Sequence, residues 1–471
     1  MVDWVREWVS ERRKNGEKGI EVKPRGKKYY VYHSTTYWDR KQKKIRKRSS
    51  YIGVLDRERG LIESGRSFPV KSTGIFQYGN SMLIMKAMQP LIKRLKEAFP
   101  DMWEEVYALA KVRSTGRVPL KMVSTVWNGM YNVEEIEPDL DPGNLAKLLR
   151  IIGTDRAGQD TVFSLLIRDA RQFAYDLTVV YSRSGTVSFS EFGFMDEDLP
   201  QINVVLFYSI DENLPTMIRV IPGSVRDITS LYASVEEAGI EGKVLVLDRG
   251  FFSSDTLEFL SNKKVSFVLP ARRNSHLYDD SETHDVFGYR GRMISAGKRT
   301  IGNIYAYTYL DGFLKAEEEY SLCERLQKKL IDVDEFNRKR ERAGKILILS
   351  NMDRSPEEIY LVYKKRDGVE KQFDIMKNIL HSDILYLRDN ESIFGHMFIS
   401  FLSMYSHSSI ENMLRAAGLL EKYSAMDVLE HYSRVYMIKS SKGQVVSEVP
   451  KKVRELDVRL GLNIFPTKER S

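Results

Sequence analysis

The spacing of apolar residues at the start of the chain predicts a helix followed by a β-hairpin. Trp4, Val5 and Trp8 recur at helical spacing with charged residues between them, which is typical of a short amphipathic helix. Two β-rich runs, residues 27–37 and 45–54, are separated by a polar turn and predict two paired strands. Cationic side chains are interleaved with the aromatic residues of this hairpin. The pattern fits either a solvated edge hairpin or one that contacts a nucleic-acid backbone.

A helical region follows, over residues 81–171. Asp141 directly before Pro142 marks the start of one helix. Gly153 is expected to close that helix and Thr154 to cap the next one. Two helices joined so closely fit either a helix-turn-helix that reads DNA or an αα-hairpin that only packs against its neighbours.

The next part of the chain has the alternation of strands. Three runs, residues 173–183, 202–210 and 215–221, predict an antiparallel meander. A helix, a buried strand at 244–247, a second helix and a strand at 265–270 come after it. This order of elements predicts a mixed α/β sheet.

The segment from about 271 to 344 differs from its surroundings. It contains short β-like pieces and a charged helix over residues 315–342. A strand at 345–349 and a long helix from 356 to about 380 then resume the α/β pattern. We therefore expect an insertion, with β structure, inside one domain.

The composition is that of a folded chain with a local excess of positive charge. Hydrophobic residues make up 42% and charged residues 29%, which provides a core and excludes extensive disorder. The net charge of the chain is +8, whereas residues 1–50 alone carry +10. The positive charge is thus concentrated at the start, which favours a polyanionic partner, nucleic acid first and an anionic membrane second.

Cysteine content and hydropathy bear on the compartment. The single cysteine, Cys323, excludes an internal disulfide and a cysteine-based zinc finger. The longest nearly apolar run, from Ile393 to Met404, is shorter than the roughly 20 residues that cross a bilayer, so no membrane span is expected. The first residues mix acids with apolar side chains, unlike a secretion signal. A cytoplasmic location is the simplest expectation.

Four polar residues share one side of the predicted helix at 356–380. Tyr363, Arg366, Glu370 and Lys377 fall within a 60° stripe at 100° per residue, at the margin between the apolar face and solvent. Ordinary amphipathic helices also place such side chains there, with their stems packed on the core. Gly368 in the same helix is interpreted as a neutral residue rather than as room for a DNA backbone.

Two carboxylates on predicted strands make this stripe more informative. Asp176 lies within the first strand of the meander, where an unpaired charge is costly, and Asp248 follows the apolar run 244–247. If the two strands are neighbours, a divalent cation would relieve the repulsion between their acids. With Glu370 they form the type of oxygen donor set that holds two Mg²⁺ ions roughly 3.5–4 Å apart in phosphodiester chemistry.

These residues resemble a known family. Tyr363, Arg366, Glu370 and Lys377 have the spacing of the Tyr-Arg-Glu-Lys signature of the DDE transposases encoded by bacterial and archaeal insertion sequences. Asp176 and Asp248 resemble that family's first and second acids. The resemblance covers residues 171–410 and implies a ribonuclease-H-like catalytic domain. It further implies metal-dependent cleavage at the ends of a DNA element, followed by transfer of the freed 3′-hydroxyl ends to target DNA.

The resemblance also implies partners and roles. Asp176, Asp248 and Glu370 would be catalytic and would hold two Mg²⁺ ions, with Mn²⁺ able to substitute. Tyr363, Arg366 and Lys377 would contact DNA phosphates. The expected partner is double-stranded DNA, both element ends and target, bound by a homodimer that is cytoplasmic and nucleoid-associated. Two alternatives are a catalytically silent DNA-binding regulator derived from a transposase and a nuclease of the same fold.

The sequence thus predicts five parts. They are a basic β-hairpin region at 1–75 that contacts DNA, a helical region at 76–171 with possible DNA-end binding, a ribonuclease-H-like catalytic domain at 172–270 and 345–415, an insertion subdomain at 271–344, and a C-terminal helical region at 416–471.

Overall fold

The computed structural model describes residues 2–465 except 27, 40–42, 64–71, 193–199, 226, 279–282, 383 and 442. The chain divides into two compact units. One consists of Met1–Gly74 with Lys439–Gln444, and the other of Ile75–Ile438 with Val445–Ser471.

The first unit is a four-stranded antiparallel sheet with one helix on it. The helix is α1 (Asp3–Lys14), and the strands, in spatial as well as chain order, are β1 (Ile20–Arg25), β2 (Lys28–Asp39), β3 (Lys44–Asp56) and β4 (Gly60–Glu63). Val5 of α1 is fully buried against Val22 and Val31 of the sheet. The predicted amphipathic helix is therefore present, because its apolar stripe covers the apolar side of the sheet.

The second unit begins with helices. They are α2 (Gly79–Ala98), α3 (Trp103–Arg113), α4 (Val123–Gly129), α5 (Pro142–Thr154) and α6 (Arg156–Asp169). Asp141 caps α5 as predicted, since its carboxylate accepts from the amide of Gly143. The predicted cap at Thr154 is wrong, because α5 runs through Thr154 and the carboxylate of Asp155 caps α6.

A ten-stranded mixed sheet forms the centre of this unit, which confirms the predicted α/β class. Its strands are β6 (Gln172–Ser182), β7 (Gln201–Ser209), β8 (Leu214–Pro222), β9 (Val244–Val246), β10 (Ser266–Pro270), β11 (Asp285–Tyr289), β12 (Arg292–Ile301), β13 (Ile304–Asp311), β14 (Lys345–Ser350) and β15 (Ile384–Leu385). Nine follow the order β11-β12-β13-β14-β10-β9-β6-β7-β8, and β15 pairs with β6. The three strands of the predicted insertion thus extend the same sheet through the antiparallel pairing of β13 with β14.

Helices flank and follow this sheet. They are α7 (Asp227–Ala238), α8 (Ser254–Asn262), α9 (Gly312–Gln327), α10 (Val333–Glu341), α11 (Pro356–Lys364), α12 (Asp367–Asp374), α13 (Asn390–Ala416), α14 (Ala425–Tyr432) and α15 (Lys451–Arg459). The remaining strands are β5 (Ser72–Gln77), β16 (Tyr436–Ser440) and β17 (Gly443–Val446), through which the boundary between the two units runs.

Helix α13 is the central helix of the unit and lies against α5 at very close range. A Cβ atom on Gly153 would overlap the carbonyl oxygen of Glu391, and one on Gly395 would overlap that of Leu149. Gly153 thus lies inside α5 to admit α13, and the prediction that it closes α5 is wrong. In the described part of the chain, no helix is both long enough and apolar enough to span a membrane.

Candidate active site

Two neighbouring strands of the central sheet bring two acids side by side. β6 and β9 are parallel, and their pairs run from Gln172 with Val244 to Ala174 with Val246. The same offset continued by two residues places Asp176 beside Asp248, just past the end of β9. Because side chains alternate along a strand, both carboxylates leave the sheet on one side. The sequence left open whether these two strands are neighbours, and the structure shows that they are.

The helix that carries the signature is interrupted where the site forms. A single helix from 356 to about 380 was expected, but α11 ends at Lys364 and α12 begins at Asp367. The amides of Arg366 and Val369 bond to carbonyls three residues back instead of four, which tightens the turn. After α12 the chain forms a π-helical turn at Ile375–Ile379.

Gly368 allows α12 to lie directly on the sheet. A Cβ atom at this position would overlap the ring of Tyr208, with its Cζ at 2.7 Å. Tyr208 belongs to β7 and is only 5% exposed, so its ring has little room to move. The interpretation of Gly368 as neutral is wrong, because this contact sets the height of α12 above the sheet.

Gly368→Ala is expected to separate α12 from the sheet. Overpacking of a buried contact costs typically 1–3 kcal/mol, against which the better helix propensity of alanine returns at most about 1 kcal/mol. We expect a net loss of stability in urea unfolding, and a larger proportional loss of any activity that depends on Glu370. Gly312→Ala is the matched control, since a Cβ there meets nothing within 4 Å. Equal stability of the two variants would contradict this role for Gly368.

One guanidinium holds the three acids together. Arg366, in the tight turn, lies 2.5 Å from Glu370, 3.5 Å from Asp176 and 3.8 Å from Asp248, measured between side-chain nitrogen and oxygen. The Arg366 side chain is 11% exposed, whereas Asp248 is 37% and Glu370 55% exposed. The cluster is therefore open on the side of Asp248 and Glu370 and closed beneath Asp176.

Burial dominates the electrostatics of Asp176. Desolvation raises the pKa of this carboxyl to about 6, and the nearby charges of Asp248 and Glu370 add to the increase. The backbone amide of Leu177, at 2.8 Å, and the Arg366 guanidinium act in the opposite direction. The protein thus retains an acid at a position where its charge is disfavoured, which is typical of functional sites.

The other signature residues differ in how they relate to this cluster. Burial lowers the pKa of Arg366, but the surrounding negative charges outweigh this effect and the net pKa is raised. Burial also raises the pKa of Tyr363, which is close enough to Arg366 and Asp248 to sense both charges. Lys377 lies on the π-helical turn and is half-buried.

The carboxylates of the cluster are suitable ligands for a divalent cation, although at present they surround the guanidinium of Arg366. Among the described residues, no group of three or more Asp, Glu, His or Cys side chains is arranged so that it could hold a metal ion. The three carboxylates surround a guanidinium instead, which balances part of their charge. Carboxylate oxygens are the donors that Mg²⁺ prefers, so the three side chains match this ion in chemistry but not in their present arrangement.

Comparison with known proteins gives this geometry a family context. Residues 195–405 match the family model of the transposase DDE domain. This range includes Asp248 and all four signature residues but starts after Asp176, and it spans somewhat under half of the chain. The match supports a DDE transposase, and it does not by itself test the Tyr-Arg-Glu-Lys assignment.

Comparisons with solved structures and with curated proteins do not extend the family assignment. A solved structure described as the cryo-EM structure of piggyBac transposase synaptic complex with hairpin DNA is similar to this chain at 12% identity and a TM-score of 0.42, over 84% of this chain and 87% of that one. A TM-score of this size does not establish a common fold. No curated protein matches the chain.

Tyr208 is the supporting residue that the sequence did not reveal. It is one of several aromatic and apolar residues in the run 202–210, and nothing in that run distinguishes it. Its partner Gly368 was the available signal, since a glycine inside a helix often marks close packing.

Proposed function

We propose that this protein is a transposase with a ribonuclease-H-like catalytic domain that cleaves DNA at the ends of an insertion sequence and joins those ends to target DNA. The observation that carries the proposal is the convergence of Asp176, Asp248 and Glu370, from two strands and a helix, on one guanidinium. A charge-compensated group of three acids has little structural purpose beside two interior strands of a sheet, where two of the acids are partly exposed. The family match over residues 195–405 supports the same class of protein.

The residues of the cluster have distinct roles in this proposal. Asp176, Asp248 and Glu370 would hold two Mg²⁺ ions, or Mn²⁺ in their place, which supply activation of the attacking hydroxyl and stabilisation of the leaving oxygen. Arg366 leaves the carboxylates when DNA and metal bind, and its guanidinium then takes a phosphate in a bidentate contact. Tyr363 and Lys377 contact the DNA backbone on the same side.

The rest of the chain is assigned to DNA handling. Residues 1–75 contact DNA, 76–171 contribute to binding of the element end, and 416–471 form a C-terminal helical region. The catalytic domain is 172–270 with 345–415, interrupted by the insertion subdomain at 271–344. The active assembly is a homodimer that holds two double-stranded ends and a target at the nucleoid. A silent regulator is not favoured, because such a protein has no need of all three acids.

Cleavage of the protein's own element ends tests the proposal. A labelled duplex that carries the DNA flanking the coding region is incubated with the full chain. We expect strand cleavage with Mg²⁺ or Mn²⁺ and none in EDTA. Pre-cut ends with free 3′-hydroxyls should then be joined to a plasmid. Cleavage without joining would indicate a nuclease, and binding without cleavage would indicate a regulator.

A further inference from the structure

The first unit contains a β-ribbon that extends beyond the rest of its sheet. In the described part of the chain, β1 pairs with β2 as far as His33, and β4 pairs with β3 over Gly53–Asp56. Beyond these limits, among the described strands, β2 and β3 pair with each other over residues 34–39 and 44–49, and the amide of Ser34 also donates to the carbonyl of Gly19. We call this two-stranded segment the arm. Each of its strands has six residues, which corresponds to about 20 Å.

The arm has no core of its own. Thr35 to Trp38 and all described residues from 43 to 48 are exposed, with Trp38 58% and Ile45 70% exposed. A two-stranded hairpin with no buried face is marginally stable in water. The regular pairing of the arm in spite of this indicates a surface that is completed by a partner.

The two faces of the arm differ in chemistry. Opposite residues of antiparallel strands share a face, so Trp38 with Ile45 and Thr36 with Lys47 form the first face. Lys47 is paired there with Glu21 at 2.7 Å, and the outer end of this face is apolar.

The second face of the arm carries five hydrogen-bond donors, and the register places Asp39 on it at the outer end, opposite Lys44. Its described side chains are Thr35, Tyr37, Lys44, Arg46 and Arg48. Arg46 and Arg48 are two residues apart on one strand and are therefore separated by about 6.7 Å, close to two base-pair steps of about 3.4 Å. Each guanidinium presents the planar fork that matches the O6 and N7 acceptors of guanine.

We infer that the arm inserts into the major groove of double-stranded DNA with its second face toward the base edges. The major groove is about 12 Å wide and admits a two-stranded β-ribbon, whose backbones are about 4.8 Å apart. Arg46 and Arg48 read bases, while Thr35, Tyr37 and Lys44 contact phosphates. The net charge of +10 over residues 1–50 complements the duplex. The inference rests on the proposed function only in taking DNA as the partner.

Equilibrium binding of the full chain without metal tests this inference. A random duplex pool is first enriched by the wild type, and the enriched 40-bp duplex is compared with a scrambled duplex by fluorescence anisotropy. We expect Arg46→Ala and Arg48→Ala each to weaken binding to the enriched duplex by about 5- to 150-fold and to reduce its preference over the scrambled one. Arg46→Lys and Arg48→Lys keep the positive charge but lose the planar guanidinium. They should therefore reduce the preference for the enriched duplex while leaving the affinity for scrambled DNA nearly unchanged.

Lys47→Ala is the matched control, because Lys47 lies between the two arginines but on the first face. It should change the affinity for both duplexes by less than about 3-fold, as expected for one exposed charge that is already paired. Equal losses for Lys47→Ala and Arg46→Ala would overturn the inference. So would equal losses on enriched and scrambled duplexes, or tighter binding to single strands or to anionic phosphatidylserine vesicles.

The binding assay also separates this inference from the proposed function. The wild type could fail to cleave DNA while its preference for the enriched duplex still depends on Arg46 and Arg48. That result would refute the transposase proposal and support the assignment of the arm. If the wild type cleaves DNA and the arginine variants bind as it does, the assignment of the arm is refuted and the transposase proposal is supported.

Discussion

Asp176→Asn, Asp248→Asn and Glu370→Gln are each expected to reduce DNA strand cleavage by on the order of 10³-fold or more. The amide keeps the size of the side chain but removes the charge that a metal ligand needs. Single-turnover cleavage of the labelled element end with Mg²⁺ measures the effect, and binding of the same DNA in EDTA shows whether the fold and the DNA contacts persist. Cleavage by Asp248→Asn at the wild-type rate would refute the assignment of that acid.

The same change at Asp176 should make the protein more stable. The folded-state pKa of about 6 exceeds the ordinary value of 3.8, so the folded protein favours the protonated acid. This contribution to stability is complete below about pH 4 and is lost as the pH rises through 6. Asparagine imitates the protonated acid, and Asp176→Asn should therefore raise the free energy of unfolding at pH 8 by about 1–3 kcal/mol.

Urea unfolding at pH 4.5 and pH 8 checks this gain. The advantage of Asp176→Asn should be smaller at the lower pH, grow between about pH 4 and pH 6, and be complete at pH 8. Asp255→Asn, at an exposed position in the first turn of α8, serves as the control and should change neither stability nor cleavage appreciably. An Asp176→Asn variant that is inactive and also less stable at pH 8 would show that the carboxylate has a structural role.

The sequence was sufficient to find the acids but not their common partner. Asp176 and Asp248 were recognisable because a charge within or directly after an apolar strand is costly. That β6 and β9 are parallel neighbours depends on long-range pairing, which local patterns do not specify. The position of Arg366 among the carboxylates depends further on the tight turn between α11 and α12. In a straight helix, Arg366 would lie on the same face as Glu370, but helix geometry alone would not bring it to Asp176 and Asp248.

In the first unit, the pattern of alternating residues likewise predicted some features of the structure and not others. Alternation identified the strands of the hairpin, since period 2 is a local property. It did not show that, among the described residues, β1 and β4 pair only with the inner parts of β2 and β3. It also could not assign the faces of β2 across the irregularity between Val31 and Tyr32. A single shift in register exchanges the two faces. Alternation along β3 already puts Arg46 and Arg48 on one face and Lys47 on the other. The observed pairing adds the residues of β2 that share each face, with Thr35 and Tyr37 beside the two arginines.

A buried ion pair in the helical region should contribute strongly to the stability of the fold. Lys111 of α3 is completely buried, and its ammonium group lies 2.7 and 2.8 Å from the two carboxylate oxygens of Glu134. Tyr107 donates to the same carboxylate at 2.5 Å. Burial lowers the pKa of Lys111, and Glu134 counteracts that effect. Removal of the carboxylate charge would leave an ammonium group without its counter-ion in the core.

Glu134→Gln is therefore expected to lower the free energy of unfolding by about 3–5 kcal/mol at pH 7. Without Glu134, the folded-state pKa of Lys111 falls further below its unfolded value, so the loss should shrink as the pH rises toward 10. Glu97→Gln removes an exposed partner of Lys93 and should cost less than about 1 kcal/mol. The double variant Lys111→Met with Glu134→Leu should recover most of the loss, because it leaves no buried charge. A Glu134→Gln variant as stable as Glu97→Gln at pH 7 would show that water or another acceptor reaches Lys111.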